Sequence, residues 1–133
     1  MHDVTQRVLI VEDDEPLQTF LEDALSEEGY RAIGCGMMET AQRLVLTAPP
    51  DLVILDLHLR GSGSGLDVLA WLRQQPATAT TPIIICSADS VLLRAQARTF
   101  DAHHCFAVIE KSFDLDDLLL TVEAAIGLTQ VLA

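Results

Sequence analysis

The stretch Asp51-Leu52-Val53-Ile54-Leu55-Asp56-Leu57-His58-Leu59 decides the fold. Its four apolar residues, Leu52 to Leu55, run without a break into an ionisable carboxylate at Asp56. Pro49-Pro50 precedes the run and a glycine-serine segment follows it. So short and so apolar a segment suits a strand buried on both faces of a parallel sheet. Asp56 then stands where the strand leaves the core. Open parallel sheets bind ligands beyond the carboxyl ends of their strands, which makes Asp56 a candidate reactive group.

The same junction recurs along the chain. Val8 to Val11 is apolar throughout and is followed at once by Glu12-Asp13-Asp14-Glu15. Pro16 suits the first turn of a helix, where its missing N–H costs nothing. Leu17, Phe20, Leu21, Ala24 and Leu25 recur at helical spacing and Gly29 ends the run. Tyr30 to Ile33 reads as a second strand, Gly34-Cys35-Gly36 as a turn, and Glu39 to Thr47 as a second helix. Gly61 to Gly65 reads as a loop, because Leu66, Val68, Leu69 and Leu72 resume helical spacing up to about Gln75. Pro82 to Cys86 is a fourth strand, with proline at its edge, and it empties into Ser87. Val91 to Phe100 reads as a fourth helix with Leu92, Ala95 and Phe100 inward. Ala107 to Ile109 is a fifth strand delivering Glu110-Lys111. Asp114 caps a last helix with the stripe Leu115, Leu118, Leu119, Val122 and Ile126, closed by Gly127. Five apolar strands alternating with five helices predict an α/β fold, a doubly wound parallel sheet between two helical layers.

Size and charge narrow the function. The 133 residues are expected to form a single domain, with its core at about 7–127 and no effector domain. No apolar run reaches the roughly 18 to 20 residues that span a bilayer, and the N-terminus lacks a secretory pattern, so a soluble, cytoplasmic protein is expected. Eight basic against twenty acidic residues give a net charge of -12, the wrong sign for gripping nucleic acid directly. Cys35, Cys86 and Cys105 are odd in number and form no CxxC, and read as reduced thiols. In His103-His104-Cys105 the adjacent side chains do not converge on one ion, and the segment reads as a solvated loop.

The strand ends together carry Glu12, Asp13 and Asp14, then Asp56, Ser87 and Lys111. Carboxylates at close range repel one another unless a cation joins them. Mg²⁺ takes oxygen ligands and favours one or two carboxylates plus a phosphate. Lysine supplies a point charge for phosphoryl oxygens, a hydroxyl can hydrogen-bond another, and a carboxylate held against them can act as a nucleophile.

In that order, acidic pair, aspartate, hydroxyl and lysine, the sequence resembles the response-regulator receiver domains of two-component signalling, from Val8 to about Ile126. The resemblance implies a (βα)5 flavodoxin-like sandwich, a five-stranded parallel sheet in the order 2-1-3-4-5 with helices on both faces. It implies Asp56 as phospho-acceptor, Ser87 as switch hydroxyl and Lys111 as phosphoryl contact. It implies Mg²⁺ or Mn²⁺ held by Asp13, by Glu12 through water, by Asp56 and by the backbone carbonyl of His58. The implied partners are a histidine kinase or phosphotransfer protein, as in a phosphorelay, and a downstream protein or second copy docking on the fourth helix, fifth strand and fifth helix. Catalysis would be limited to the domain's own phosphorylation and dephosphorylation.

The sequence departs from that family at several points. Ser112 follows Lys111 where a proline in cis is usual, and Val108 occupies the place of a switch aromatic. Arg60 stands where proline is common, and Asp101 to Phe106 lacks a glycine-alanine turn. His58 and Asp89 match positions that influence how long the phosphoryl group survives. The alternative reading is a degenerate receiver acting as a phosphorylation-independent interaction module. Two other classes fit less well. An aspartate-nucleophile phosphatase wants a second aspartate where His58 stands, and a flavin protein wants a phosphate-binding loop where Glu12 to Glu15 would repel phosphate.

Overall fold

The computed structural model describes residues 5–132, with side chains described as far as Leu128. Its strands are β1 (Arg7–Val11), β2 (Arg31–Cys35), β3 (Leu52–Leu55), β4 (Ile83–Ser87) and β5 (Ala107–Glu110). Its helices are α1 (Glu15–Glu27), α2 (Met38–Thr47), α3 (Gly65–Gln74), α4 (Ser90–Ala95), α5 (Ala97–Ala102) and α6 (Leu115–Leu132). A 3₁₀ turn, Pro76–Thr78, follows α3. All strand pairings are parallel and the order is β2-β1-β3-β4-β5.

The apolar strands sit in the middle because both their faces are covered. Leu9, Val11, Val53, Leu55, Ile83 and Ile85 pack under α2 to α5, through Val45, Leu69, Leu72, Leu93 and Phe100. Val8, Ile10, Leu52, Ile54 and Ile84 point the other way, onto Leu21 and Leu25 of α1 and Leu118, Val122 and Ile126 of α6. Each fully buried Leu or Ile contributes roughly 1.5–3 kcal/mol, so the three central strands hold the sheet.

Local signals set the helix starts. The Asp14 carboxylate accepts the Leu17 N–H and caps α1, putting Pro16 in the first turn. Ser64 and Asp67 form a reciprocal capping box at α3. Asp114 accepts the Asp116 N–H at 2.8 Å at the start of α6.

Several boundaries differ from the expectations. Gly34 and Cys35 belong to β2 rather than to a turn, paired with Ile10 and Val11, and the Gly34 N–H is taken by the Glu22 carboxylate at 2.8 Å. The expected fourth helix is two short ones, broken at Gln96 (φ -103, ψ 12), and Leu93 rather than Leu92 or Ala95 is its buried residue beside Phe100. Among the described residues the sheet therefore carries six helices, not five. Gly127 does not close the last helix, which continues to Leu132. A helical glycine costs only about 1 kcal/mol against alanine, and burial of Ala125 and Ile126 holds the preceding turn in place. Phe20, expected inward, is exposed.

The segment before β5 is ordered by features that periodicity does not reveal. His104 adopts φ 54 and supplies the left-handed turn for which a glycine is usual. Cys105 is half-buried against the α2–α5 core rather than solvated. The Arg73 guanidinium of α3 donates to the His103 carbonyl at 2.7 Å and to the Thr78 and Thr81 carbonyls at 2.9 and 2.7 Å. One side chain thus ties α3 to the entrances of β4 and β5.

Candidate functional site

Register brings the acidic residues together. Val11 pairs with Leu55, so Glu12 and Asp56 leave the sheet on adjacent strands. The Asp56 N–H still donates to the Val11 carbonyl at 2.9 Å, and the Glu12 N–H donates to Cys35 at 2.8 Å. Both carboxylates are buried, at 3% exposure each. Oxygen atoms of Glu12, Asp13 and Asp56 lie within 4.8 Å of one another.

Lys111 is delivered by β5, whose end is held when the Lys111 N–H donates to the Ser87 carbonyl at 2.8 Å. Its ammonium reaches across to Glu12 (Oε1 2.9 Å, Oε2 3.0 Å) and to Asp56 Oδ2 (3.1 Å). The bond after Lys111 is trans, and the chain turns through Ser112 at φ 75. The missing proline has not displaced the lysine; the turn is made by a left-handed serine instead.

The electrostatics follow from burial. Desolvation pushes the Glu12 carboxyl up to about 7, against the lowering effect of the Lys111 hydrogen bond and the Asp14 N–H. Burial alone would lower the Lys111 ammonium, but its hydrogen bonds to Glu12 and Asp56 outweigh this and hold its pKa above the ordinary value. Burial also raises the Cys86 thiol beneath the site to about 12, which leaves it inert as a nucleophile.

The remaining oxygen of Asp56 is oriented by its own loop. Oδ1 accepts the Leu57 N–H at 2.7 Å and approaches the His58 N–H at 3.5 Å. Ser87 is fully buried at the end of β4, and its hydroxyl accepts the Asp89 N–H at 3.1 Å. Asp89 also caps α4 through Leu92 and meets His58 Nε2 at 2.9 Å. These bonds hold its carboxyl below the ordinary range, the Leu92 N–H first and His58 second. The loops after β3 and β4 are thus clasped beside the carboxylate.

Sequence reasoning missed Gly65. A Cβ built there would overlap the Asp56 carbonyl oxygen and stand 2.6 Å from Leu57 Cα. The Gly65 N–H donates to the Leu57 carbonyl at 2.9 Å. The start of α3 is pressed against the very strand end that carries Asp56, and only glycine allows that approach. The available signal was its place, last in a glycine-rich run and first in a helical pattern. Arg60, read only as an absent proline, ties the loop after β3 to the end of β2 and the start of α1. Its N–H donates to Gly36 at 3.0 Å, and its guanidinium meets Glu15 at 3.3 Å.

The donor set suits a hard divalent cation. Three carboxylates supply oxygen ligands, two of them buried beside the Lys111 ammonium, and among the described residues no histidine or cysteine joins the cluster. Among the described residues, no helix is long and apolar enough to cross a membrane.

Comparison with known proteins agrees with this geometry. Residues 8–123 match the family described as response regulator receiver domain. The KDP operon transcriptional regulatory protein KdpE of Escherichia coli is 43% identical over 86 residues, covering 62% of this chain and 35% of that protein. The polar-differentiation response regulator DivK of Brucella ovis is 27% identical over 124 residues, 93% of this chain and 98% of that protein. The chain therefore spans about a third of the first relative and nearly all of the second. Among solved structures, the non-phosphorylated HemR receiver domain from Leptospira biflexa superposes with a TM-score of 0.81 at 29% identity, covering 92% of this chain and 94% of that one. By sequence, strand order and chain coverage, this chain belongs to the response regulator receiver domains of two-component signalling.

Proposed function

We propose that this domain accepts a phosphoryl group on Asp56 from a histidine kinase or phosphotransfer protein and responds by altering its interaction surface. The observation that carries the reading is the convergence of Lys111 on Asp56 Oδ2 at 3.1 Å and on Glu12 at 2.9 Å. It gives the acceptor carboxylate a cation on one side and an acidic pair on the other.

In this mechanism Asp56 attacks phosphorus; a P–O bond forms as the donor's P–N bond breaks, and the imidazole nitrogen leaves with the electron pair. Catalysis rests on positioning and charge neutralisation. The Leu57 N–H fixes the carboxylate, and Lys111 turns from Glu12 and Asp56 toward the phosphoryl oxygens. Asp13, Asp56, Glu12 through water and the His58 carbonyl would hold Mg²⁺ or Mn²⁺. The ion, when bound, neutralises the charge that carboxylates and phosphoryl oxygens bring together. Ser87 then exchanges the Asp89 N–H for a phosphoryl oxygen. Because Asp89 caps α4, that exchange reaches α4, β5 and α6, the face for a downstream protein or second copy. We place the domain in the cytoplasm, with no direct role in nucleic-acid binding.

The test is incubation with acetyl phosphate and Mg²⁺, read by intact mass. The expected result is a gain of one phosphoryl group, lost in Asp56→Asn and without Mg²⁺. No gain in the wild-type protein would overturn the reading in favour of a phosphorylation-independent interaction module.

A further inference from the structure

At the opposite end of the sheet from Asp56, β1, β2 and the second half of α2 line a half-open cavity of about 140 Å³. Its walls are mostly apolar: Leu9 and Ile33 from the strands, Leu44 and Val45 from α2, and Ala48 and Pro50 beyond it. The cavity exists because α2 covers β1 more than the edge strand β2. Leu9 is buried, whereas its register partner Ile33 is 45% exposed.

Two arginines line the same cavity. Arg7 and Arg31 are register partners on neighbouring parallel strands. Alternation puts Arg7 on the face of Leu9 and Val11, which is the α2 face, and Arg31 on the face of Ile33 and Cys35. Two like charges side by side on a sheet repel and destabilise it unless an anion joins them. Neither guanidinium has a carboxylate partner within salt-bridge distance among the described residues, although the chain has twenty acidic side chains. The Asp51 carboxylate accepts the Arg7 backbone N–H at 2.7 Å instead. On a protein of net charge -12, two of the eight basic residues are register partners that line one apolar cavity.

We propose that this cavity is a binding site for a small amphipathic monocarboxylate, its apolar body between Ile33, Leu44 and Val45 and its carboxylate between Arg7 and Arg31. Guanidinium groups match a carboxylate in shape and in charge, and arginine is weakly hydrated enough to do so at an apolar rim. The volume is that of an apolar cavity able to hold a single benzene-sized group, which favours a small molecule over an extended peptide. The site is separate from Asp56 and stands whether or not the domain is phosphorylated there.

The test uses benzoate, with toluene and benzylamine as neutral and cationic counterparts, added to the unphosphorylated full chain and followed by methyl NMR. Benzoate is expected to shift the Ile33, Leu44 and Val45 methyls with a dissociation constant on the order of 1 mM, the range set by so few atoms. Arg31→Gln, exposed on the edge strand and therefore safe for folding, is expected to weaken it about tenfold, and Arg7→Gln similarly. Toluene should bind more weakly and benzylamine not at all. Equal shifts from benzoate and benzylamine, no shift of these methyls, or unchanged benzoate affinity in a folded Arg31→Gln would each overturn the proposal.

Discussion

Lys111 Nζ lies 3.1 Å from Asp56 Oδ2, yet the residue that follows the lysine, Ser112, is held at φ 75. A serine in the left-handed region costs roughly 1–2 kcal/mol. The loop therefore bears local strain next to a contact that the proposed chemistry needs. Ser112→Gly is expected to raise the unfolding free energy by about 1 kcal/mol and to leave acetyl phosphate loading intact. Ser112→Pro, whose φ is locked near -65°, is expected to lower stability by more than ~1 kcal/mol. Urea unfolding measures both, and a proline variant as stable as the parent would show that the turn is not left-handed in solution.

Glu12 makes the protein's stability depend on pH. Its folded pKa is raised from 4.5 to about 7, so the folded state holds a proton that the unfolded chain releases earlier. The resulting stabilisation is complete below about pH 4.5 and is lost as pH rises through about 7. Without divalent cations, unfolding free energy should fall across that window, and Glu12→Gln should flatten the fall. A variant with the same pH profile as the parent would assign the dependence elsewhere.

Gly65 controls the position of Asp56 from the far side. Gly65→Ala drives a Cβ into the Asp56 carbonyl and Leu57, a backbone collision that no rotamer change relieves. Overpacking of this kind costs about 3 kcal/mol. The expected outcome is a lower urea midpoint together with slower loading by acetyl phosphate. Normal loading with normal stability would mean that the start of α3 can move away freely.

His58 and Asp89 clasp the two loops beside the acceptor at 2.9 Å. Opening the clasp is expected to admit water and shorten the phosphoryl lifetime. Asp89→Asn and His58→Ala should each speed dephosphorylation about threefold to tenfold, the range carried by one hydrogen bond at a reacting group. The double variant should add little. Asparagine is chosen because it can still cap α4 through the Leu92 N–H. Unchanged rates in both single variants would remove the clasp from the kinetics.

Strand existence and polarity were legible because burial on both faces leaves an unmistakable composition: Leu52 to Leu55 and Val8 to Val11 admit little else. The helical stripes of α1, α2, α3 and α6 were legible for the same reason. The break at Gln96 was not, because Val91 to Phe100 has a weak stripe and no breaker residue. The continuation of α6 through Gly127 was not, since a glycine within a helix and one just past its end look alike in sequence. Cys35 joined β2 because its register partner Val11 and the Glu22 carboxylate on Gly34 were available in space.

The sequence by itself determined that Glu12, Asp13, Asp56, Ser87 and Lys111 each follow an apolar strand, and hence that they share one edge of a parallel sheet. Chain connectivity and burial are enough for that. Only the tertiary structure decided which of them touch. Lys111 meets Glu12 and Asp56 across 99 and 55 residues of chain, Ser87 turns to Asp89, and Gly65 is wedged against the Asp56 carbonyl. Such contacts depend on strand register and backbone torsions summed over the whole fold, and φ 75 at Ser112 is among those that no local pattern announces. The paired arginines at the other end of the sheet belong to the same class. Arg7 and Arg31 are 24 positions apart in the numbering and become neighbours only when β1 and β2 align.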